Sequence, residues 1–186
     1  MIAFDIYSMA TSIRHNKLCL ALVVDLYVKN NLQIQNKSLQ VFSESIALVH
    51  YGSLKDCNPS LVVIEEVENM NIFCSSIIDS LSYVQPDFIV FNKNKLLTNK
   101  SETKLAGCPD LIVEIWSEGN TPTEKSQKFI LYSSYRNTEH WYIEQYSNVV
   151  KCFLGHDELS SQNLNNILFS SSGLEFDLRY LALKGD

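Results

Sequence analysis

The chain has 186 residues, 46% hydrophobic and 19% charged, so we expect one globular domain over residues 1–186 rather than a disordered or low-complexity chain. The formal net charge of −6 excludes a broadly basic surface, so any footprint for nucleic-acid phosphates must be local. The longest apolar run, residues 18–28, is interrupted by Asp25 and is far shorter than the roughly 20 residues of a membrane span.

The first predicted element is a helix over residues 13–30, because this segment is apolar on most faces and contains neither Gly nor Pro. Between residues 39 and 91 the pattern changes to short apolar runs separated by turn-rich pieces, which predicts strands. The piece KLAGCP, ending at Pro109, is predicted to be a turn, and Leu111–Trp116 the next strand. The apolar runs before it are SIALVHY, PSLVVIEEV, NIFCSSII and QPDFIVF.

The clearest local signal is TPTE at residues 121–124, with a cap residue, Pro122 at the first helical position and Glu124 at the third. It predicts a helix that ends near residues 136–137. Next, HWYIEQYS and VVKCFLG are separated by Ser147-Asn148, which predicts a hairpin, and GLEFDLRYL predicts a final short strand or turn-helix piece. This order of helices and strands indicates one α/β domain.

The cysteines are odd in number and never spaced as Cys-x-x-Cys, so we expect reduced packing residues in a cytoplasmic protein without a secretory signal or a membrane partner. The histidines show no metal-ligand spacing, and we expect each to be a packed or surface residue. The residues are Cys19, Cys57, Cys74, Cys108, Cys152, His15, His50, His140 and His156.

Two Pro-Asp pairs lead apolar strands, and the second of these strands also carries a glutamate. For Asp87 or Asp110 alone, the simpler interpretation is a turn former or strand terminator. Glu114 differs because it lies inside the run LIVEIW, where an ionised carboxylate is costly unless it is paired or bound to a cation. We therefore interpret Glu114 as a site residue.

Strand geometry selects the partner of Glu114. Asp110 is four residues away on the same strand, a separation of about 13 Å at about 3.3 Å per residue, so the two cannot easily share one metal ion. Neighbouring strands lie about 4.8 Å apart, so Asp87 could meet Glu114 across a sheet and ligate one hard cation such as Mg²⁺. Such an ion can polarise a phosphodiester and activate water.

The helix after Glu114 offers a fixed cation for the charge that develops during such a reaction. Lys125 and Lys128 lie three residues apart, on one face with Tyr132. Taken singly, lysines on a capped helix are usually solvated surface residues. Their significance depends on the combination with the carboxylates.

The run PDLIVEIWSEGNTPTEKSQKFILYSSYRNTEHWYIE, preceded by VQPDFIVF, resembles the putative restriction endonuclease family with the PD-(D/E)XK nuclease core. Ser117, Lys128, Tyr132, Glu139 and Trp141 stand at the family's relative positions without a gap. The resemblance extends more weakly to IRHNKLCLALVVDL and GLEFDLRYL, and so covers most of the chain. It implies a restriction endonuclease-like fold, a central mixed β-sheet flanked by helices.

The resemblance also implies a reactive centre. Asp87 and Glu114 would form the metal pair for Mg²⁺ or Mn²⁺. In this family the lysine stands on the following helix rather than two positions after the glutamate, which assigns its role to Lys128. Lys128 would orient or polarise the attacking water and offset charge on the phosphate. Asp110, Glu124, Lys125 and Tyr132 are possible accessory residues.

The chain departs from the family pattern at three places. SEGN at residues 117–120 replaces the family's Ser-Pro-Ser-Thr turn, Glu124 replaces an aspartate on the helix, and Arg136 replaces a glycine. The family's N-terminal acidic segment is represented only by Asp5, with Asp25 and Glu44 as substitutes for a third carboxylate.

These features favour a Mg²⁺-dependent endonuclease that hydrolyses phosphodiester bonds of DNA, as a homodimer because the fold resembles restriction enzymes that cut both strands. The alternative is a catalytically inactive nuclease-fold protein that acts as a binding or assembly module. The net charge and the altered turn favour the alternative, whereas the joint presence of Asp87, Glu114 and Lys128 favours the enzyme. An unrelated α/β binding domain is the third interpretation.

Overall fold

The computed structural model of the chain describes residues 13–30, 39–43, 47–49, 83–92, 96–98 and 104–183. Within these ranges the helices are α1 (Ile13–Lys29) and α2 (Pro122–Ser133), followed late in the chain by a 3-10 turn (Arg179–Leu181). The strands are β1 (Leu39–Ser43), β2 (Ala47–Val49), β3 (Tyr83–Val84), β4 (Phe88–Asn92), β5 (Leu96–Thr98), β6 (Lys104–Gly107), β7 (Leu111–Trp116), β8 (Glu139–Glu144), β9 (Val149–Leu154), β10 (Asp157–Glu158), β11 (Gln162–Asn163), β12 (Leu168–Phe169) and β13 (Glu175–Phe176).

A mixed sheet with the strand order β1-β4-β7-β8-β9-β10 forms the centre of the fold, and β11 also pairs with β9. β7 and β8 are parallel, whereas β1 and β4, β4 and β7, and β8 and β9 are antiparallel. A parallel pair requires a crossover connection, and α2 lies in the connection between β7 and β8. The α/β class and the mixed sheet predicted from the sequence are confirmed.

The helices cover opposite faces of this sheet, because successive side chains of a strand point to opposite faces. On β7, Leu111, Val113 and Ile115 pack in one core with α1, while Ile112 and Trp116 pack in a second core with Tyr132 of α2. All six residues of β7 are buried, which agrees with a central strand covered on both sides.

The smaller strands lie around this centre. One four-stranded sheet has the order β3-β2-β6-β5, and β12 pairs with β13 in a separate ribbon. The turn predicted for KLAGCP is wrong over residues 104–107, which form β6, because tertiary pairing with β2 and β5 overrides the local Gly and Pro signals. The predicted strand runs at residues 59–67 and 71–78 lie outside the described residues.

Most other local predictions are confirmed, although α2 ends at Ser133 rather than near residues 136–137. The first predicted helix corresponds to α1, and the helix predicted at TPTE begins where the capping signal places it, with Thr121 Oγ1 accepting a hydrogen bond from the Glu124 amide at 3.2 Å. β8 and β9 form the predicted hairpin. No helix in the described ranges is long and apolar enough to cross a bilayer.

His140 on β8 is a buried histidine that the fold holds uncharged. Its Nδ1 lies 2.9 Å from the Tyr142 hydroxyl and its Nε2 lies 2.7 Å from the Gly155 carbonyl oxygen. Burial lowers the pKa of His140 from 6.5 to about 4. Because the carbonyl can only accept, Nε2 carries the proton and Nδ1 accepts from Tyr142.

The lowered pKa of His140 predicts a loss of stability in acid. An imidazole with a lowered folded-state pKa stabilises the fold above pH 6.5, and this contribution is lost as the pH falls towards 4. The loss of unfolding free energy specific to His140 should reach about 2 kcal/mol at pH 5, at about 1.4 kcal/mol per pH unit. Urea unfolding of wild type and His140→Gln measures this as a difference that shrinks between pH 7.5 and pH 5. A difference independent of pH would contradict the prediction.

Candidate active site

Glu114 lies on the central strand β7 and points towards α2, between Ile112 and Trp116 in the side-chain alternation. It is 1% exposed. The neighbouring parallel strand places Tyr142 beside it in register. Glu114 therefore lies inside an apolar layer, which is the environment that the run LIVEIW predicted.

Two residues of α2, one turn apart, contact the two oxygens of this carboxylate. Lys128 Nζ donates to Glu114 Oε2 at 2.8 Å, and the Tyr132 hydroxyl donates to Oε1. The Lys128 side chain is 12% exposed and Tyr132 is fully buried. We refer to Glu114, Lys128 and Tyr132 as the Glu114 cluster.

The electrostatics of the Glu114 cluster depend chiefly on burial. Burial raises the pKa of Glu114 to about 7, Lys128 acts against this shift, and the nearby charge of Asp87 adds to it. Burial would lower the pKa of Lys128, but the charge and hydrogen bond of Glu114 act against it, and the net pKa is raised. Burial, followed by the charge of Glu114, raises the pKa of Tyr132 well above its usual range, so this hydroxyl remains a donor.

Asp87 immediately precedes β4, which runs antiparallel to β7 with Phe88 opposite Val113. Extending this register by one residue places Asp87 opposite Glu114, as the sequence geometry predicted. Asp87 Oδ2 accepts a hydrogen bond from the Ile115 amide at 2.7 Å, which fixes the carboxylate at the end of the strand pair. Its side chain is 19% exposed, so Asp87 forms the more open side of the carboxylate pair.

A histidine that the sequence interpretation assigned to packing lies against Asp87. His15 Nε2 is 3.2 Å from Asp87 Oδ1, and His15 Nδ1 is 3.7 Å from the Cys19 sulfur one turn further along α1. One ligand atom from each of His15, Cys19 and Asp87 lies within 4.8 Å of the others. Spacing rules could not find this group, because Asp87 is distant in sequence. The available signal was His15 and Cys19 four residues apart on one helix face.

The segment that carries the Glu114 cluster matches a known family. The model of the Uma2 family, described as putative restriction endonuclease, matches residues 71–182. The chain belongs to the Uma2 family. Asp87, Glu114, Lys128 and Tyr132 all fall inside the matched segment, whereas His15 and Cys19 precede it. Family membership supports a nuclease.

A solved structure supports the same fold. The chain is similar to a putative nuclease belonging to DUF820 from Anabaena variabilis ATCC 29413, with a TM-score of 0.62 and 13% sequence identity. The similarity covers 96% of this chain and 87% of the other. No curated protein matches the sequence. At this identity the similarity shows the restriction endonuclease-like fold, which confirms the fold predicted from the sequence resemblance.

Lys125 does not share the position of Lys128 in this Uma2 protein. Its Nζ lies 2.9 Å from Glu144 Oε1, at the end of β8. The Glu144 side chain is 44% exposed, so this ion pair lies at the surface. Of the two lysines left open by helical spacing, Lys128 therefore contacts Glu114.

Two of the possible accessory acids have local structural partners. Asp110 accepts a hydrogen bond from the Asn92 amide at the end of β4, which agrees with the strand-terminator interpretation. Glu124 Oε1 accepts from the Asn120 amide group at 2.9 Å, and Asn120 Oδ1 accepts from the Ser117 amide at 2.7 Å. The altered turn is thus closed by its own hydrogen bonds. Glu124 also contributes to the raised pKa of Lys128.

Of the residues considered for a third carboxylate, Asp25 is the one that the structure describes, and it does not extend the cluster. Asp25 accepts a hydrogen bond from the Asp177 amide. Asp25 lies ten residues after His15 in α1, and so about 15 Å away along the helix axis. Burial raises the pKa of Asp25. Asp5 and Glu44 lie outside the described residues. The α1 side chain described beside Asp87 is His15.

The donor set around Asp87 and Glu114 fits a divalent cation. Besides burial, the charge of Asp87 on the paired strand raises the pKa of Glu114, and a cation between the two carboxylates would offset that repulsion. Their oxygens are the hard donors that Mg²⁺ and Mn²⁺ accept, and each oxygen has more than one lone pair, so the existing hydrogen bonds leave room for coordination.

Proposed function

We propose that this Uma2 protein is a divalent-metal-dependent endonuclease that hydrolyses phosphodiester bonds in DNA. The observation that carries the proposal is the contact of Lys128 with the buried carboxylate of Glu114, beside Asp87 on the paired strand. Asp87 and Glu114 would hold Mg²⁺ or Mn²⁺. A bound ion of this kind supplies Lewis-acid polarisation of the phosphate and a water of lowered pKa.

The protein groups have separate roles in this proposal. The Ile115 amide holds Asp87 in place at the more exposed side of the carboxylate pair. Tyr132 and Lys128 fix the orientation of Glu114. Lys128 is the cation available to orient the attacking water and to offset charge that develops on the phosphate.

We further propose a homodimer of single-domain subunits. Each chain has one Glu114 cluster in its described part, and cutting both strands of a duplex requires two centres or two successive events. A twofold-symmetric pair would present one centre to each strand. Size-exclusion chromatography with light scattering measures this mass directly.

An inactive binding module is the second candidate function. It is favoured by the net charge of −6 and by the hydrogen bonds that already engage both Glu114 oxygens. A module of this kind would bind a partner or DNA without cleaving it, and metal ions would leave the DNA intact.

Plasmid cleavage tests the proposed function. Supercoiled plasmid is incubated with the purified chain in Mg²⁺, in Mn²⁺ and in EDTA, beside Asp87→Asn. We expect nicked and linear products only with metal ions, and a rate for Asp87→Asn at the EDTA level, because the amide cannot replace a charged ligand. Cleavage that survives in Asp87→Asn would contradict the site, and uncut plasmid in both metals would support the binding module.

A further inference from the structure

His15 is 6% exposed and projects from α1 towards the carboxylate of Asp87, the proposed metal ligand with the more exposed side chain. We propose that His15 is a nitrogen ligand of the ion that Asp87 binds, and that the site consequently prefers Mn²⁺ or Co²⁺ to Mg²⁺. This inference rests on Asp87 as a proposed metal ligand, and it adds a ligand from α1.

The distance between His15 and Asp87 suits two ligands of one ion. His15 Nε2 and Asp87 Oδ1 lie 3.2 Å apart. Ligand atoms at about 2.1 Å from a common ion are about 3.2 Å apart when they subtend roughly 100°, between the octahedral and tetrahedral angles. The pair therefore needs little rearrangement to coordinate together.

Cys19 lies beside the ring nitrogen of His15 that faces away from Asp87. Its sulfur lies 3.7 Å from Nδ1, the ring nitrogen remote from Asp87. An imidazole that coordinates through Nε2 carries its proton on Nδ1, and metal-binding histidines usually donate that proton to a fixed acceptor. Cys19 is 4% exposed and can accept it. We assign Cys19 to positioning the ring rather than to coordination.

The ligand types determine the metal preference. Two carboxylates alone suit Mg²⁺, which takes oxygen ligands and retains several waters. An imidazole nitrogen adds affinity for Mn²⁺, Co²⁺ and other ions of borderline softness, and adds little for Mg²⁺. The competing interpretation is a protonated His15 that pairs with Asp87 as a cation, which would keep a metal ion away from this oxygen.

Pulsed electron paramagnetic resonance of bound Mn²⁺ tests the coordination directly, because a coordinated imidazole nitrogen couples to the ion. Wild type and His156→Gln, a matched control at an exposed histidine, should show this coupling. His15→Gln should lack it and bind Mn²⁺ about 10–100-fold more weakly by calorimetry. His15→Asp should bind Mn²⁺ without the coupling, with the ratio of Mn²⁺ to Mg²⁺ affinity reduced about tenfold.

Three results would overturn the inference: no Mn²⁺ binding by wild type, bound Mn²⁺ without imidazole coupling, or a coupling that persists in His15→Gln. If both His15 variants fail to fold, the other three histidines decide the assignment. A coupling that survives His50→Gln, His140→Gln and His156→Gln belongs to His15, and a coupling lost in one of them contradicts the proposal.

Plasmid cleavage in parallel separates this inference from the proposed nuclease function. Imidazole-coordinated Mn²⁺ on a protein that leaves plasmid intact would refute the nuclease and retain the metal site. Metal-dependent cleavage by a protein whose Mn²⁺ lacks imidazole coupling would refute the role of His15 and retain the nuclease.

Discussion

Lys128→Met should reduce metal-dependent DNA cleavage by about 10²–10³-fold, the range observed when one group that stabilises a developing charge is removed. Lys128 Nζ lies 2.8 Å from Glu114 Oε2, so the substitution removes the cation of the site. It also leaves Glu114 buried without its ion-pair partner, and the carboxyl group should then hold its proton to higher pH.

Lys125→Met is the matched control, because Lys125 lies on the same helix one turn away and pairs with the half-exposed Glu144. Its cleavage rate should stay within about threefold of wild type, since a surface ion pair contributes about 0–1 kcal/mol. Single-turnover rates at saturating Mn²⁺ measure both variants, with thermal unfolding to verify folding. Equal losses of cleavage rate in the two variants would contradict a special role for Lys128.

Glu139→Ala should lower the free energy of unfolding by about 3 kcal/mol, because it leaves the buried Trp141 N–H without an acceptor and removes the hydrogen bonds to Ser171. Glu139 is 2% exposed at the start of β8. Its Oε1 accepts from Trp141 Nε1 at 2.5 Å, and its Oε2 accepts from the Ser171 amide at 2.5 Å and from the Ser171 hydroxyl at 2.6 Å. This carboxylate thus attaches the segment after β12 to the central sheet.

Glu144→Ala provides the comparison at the other end of the same strand, where the carboxylate is 44% exposed and we expect a loss below about 1 kcal/mol. Urea unfolding at pH 7 measures both variants. Mn²⁺ affinity should be unchanged in folded Glu139→Ala. A small stability loss together with lost metal binding would instead place Glu139 in the reactive centre.

The sequence predicted most reliably what depends on local chemistry. Glu114 stood out because one carboxylate inside an apolar strand requires a partner, and Lys128 and Tyr132 supply that contact. The capping signal placed the start of α2 at Pro122. Asp87 followed from strand spacing, since the antiparallel register aligns it with Glu114.

The predictions that failed or were missed depend on contacts between distant segments. Residues 104–107 form β6 through pairing with β2 and β5, although their own Gly and Pro signals indicate a turn. His15 reaches Asp87 only because α1 packs across the sheet, and no spacing within α1 encodes that contact. The choice between Lys125 and Lys128 also required the helix orientation, because both fit helical spacing.

One side of α1 both packs against the sheet and carries the side chain that contacts Asp87. This double role limits how the sequence of α1 can evolve. Leu18 and Leu22 are fully buried against the sheet, on the same side as His15 and Cys19. Since successive residues of a helix are about 100° apart, a shift of one position would displace the core leucines and the imidazole together. Substitutions on this side should therefore be selected for folding and for site geometry at once. The opposite side of α1, which includes Leu20 and Val24, is constrained by folding alone.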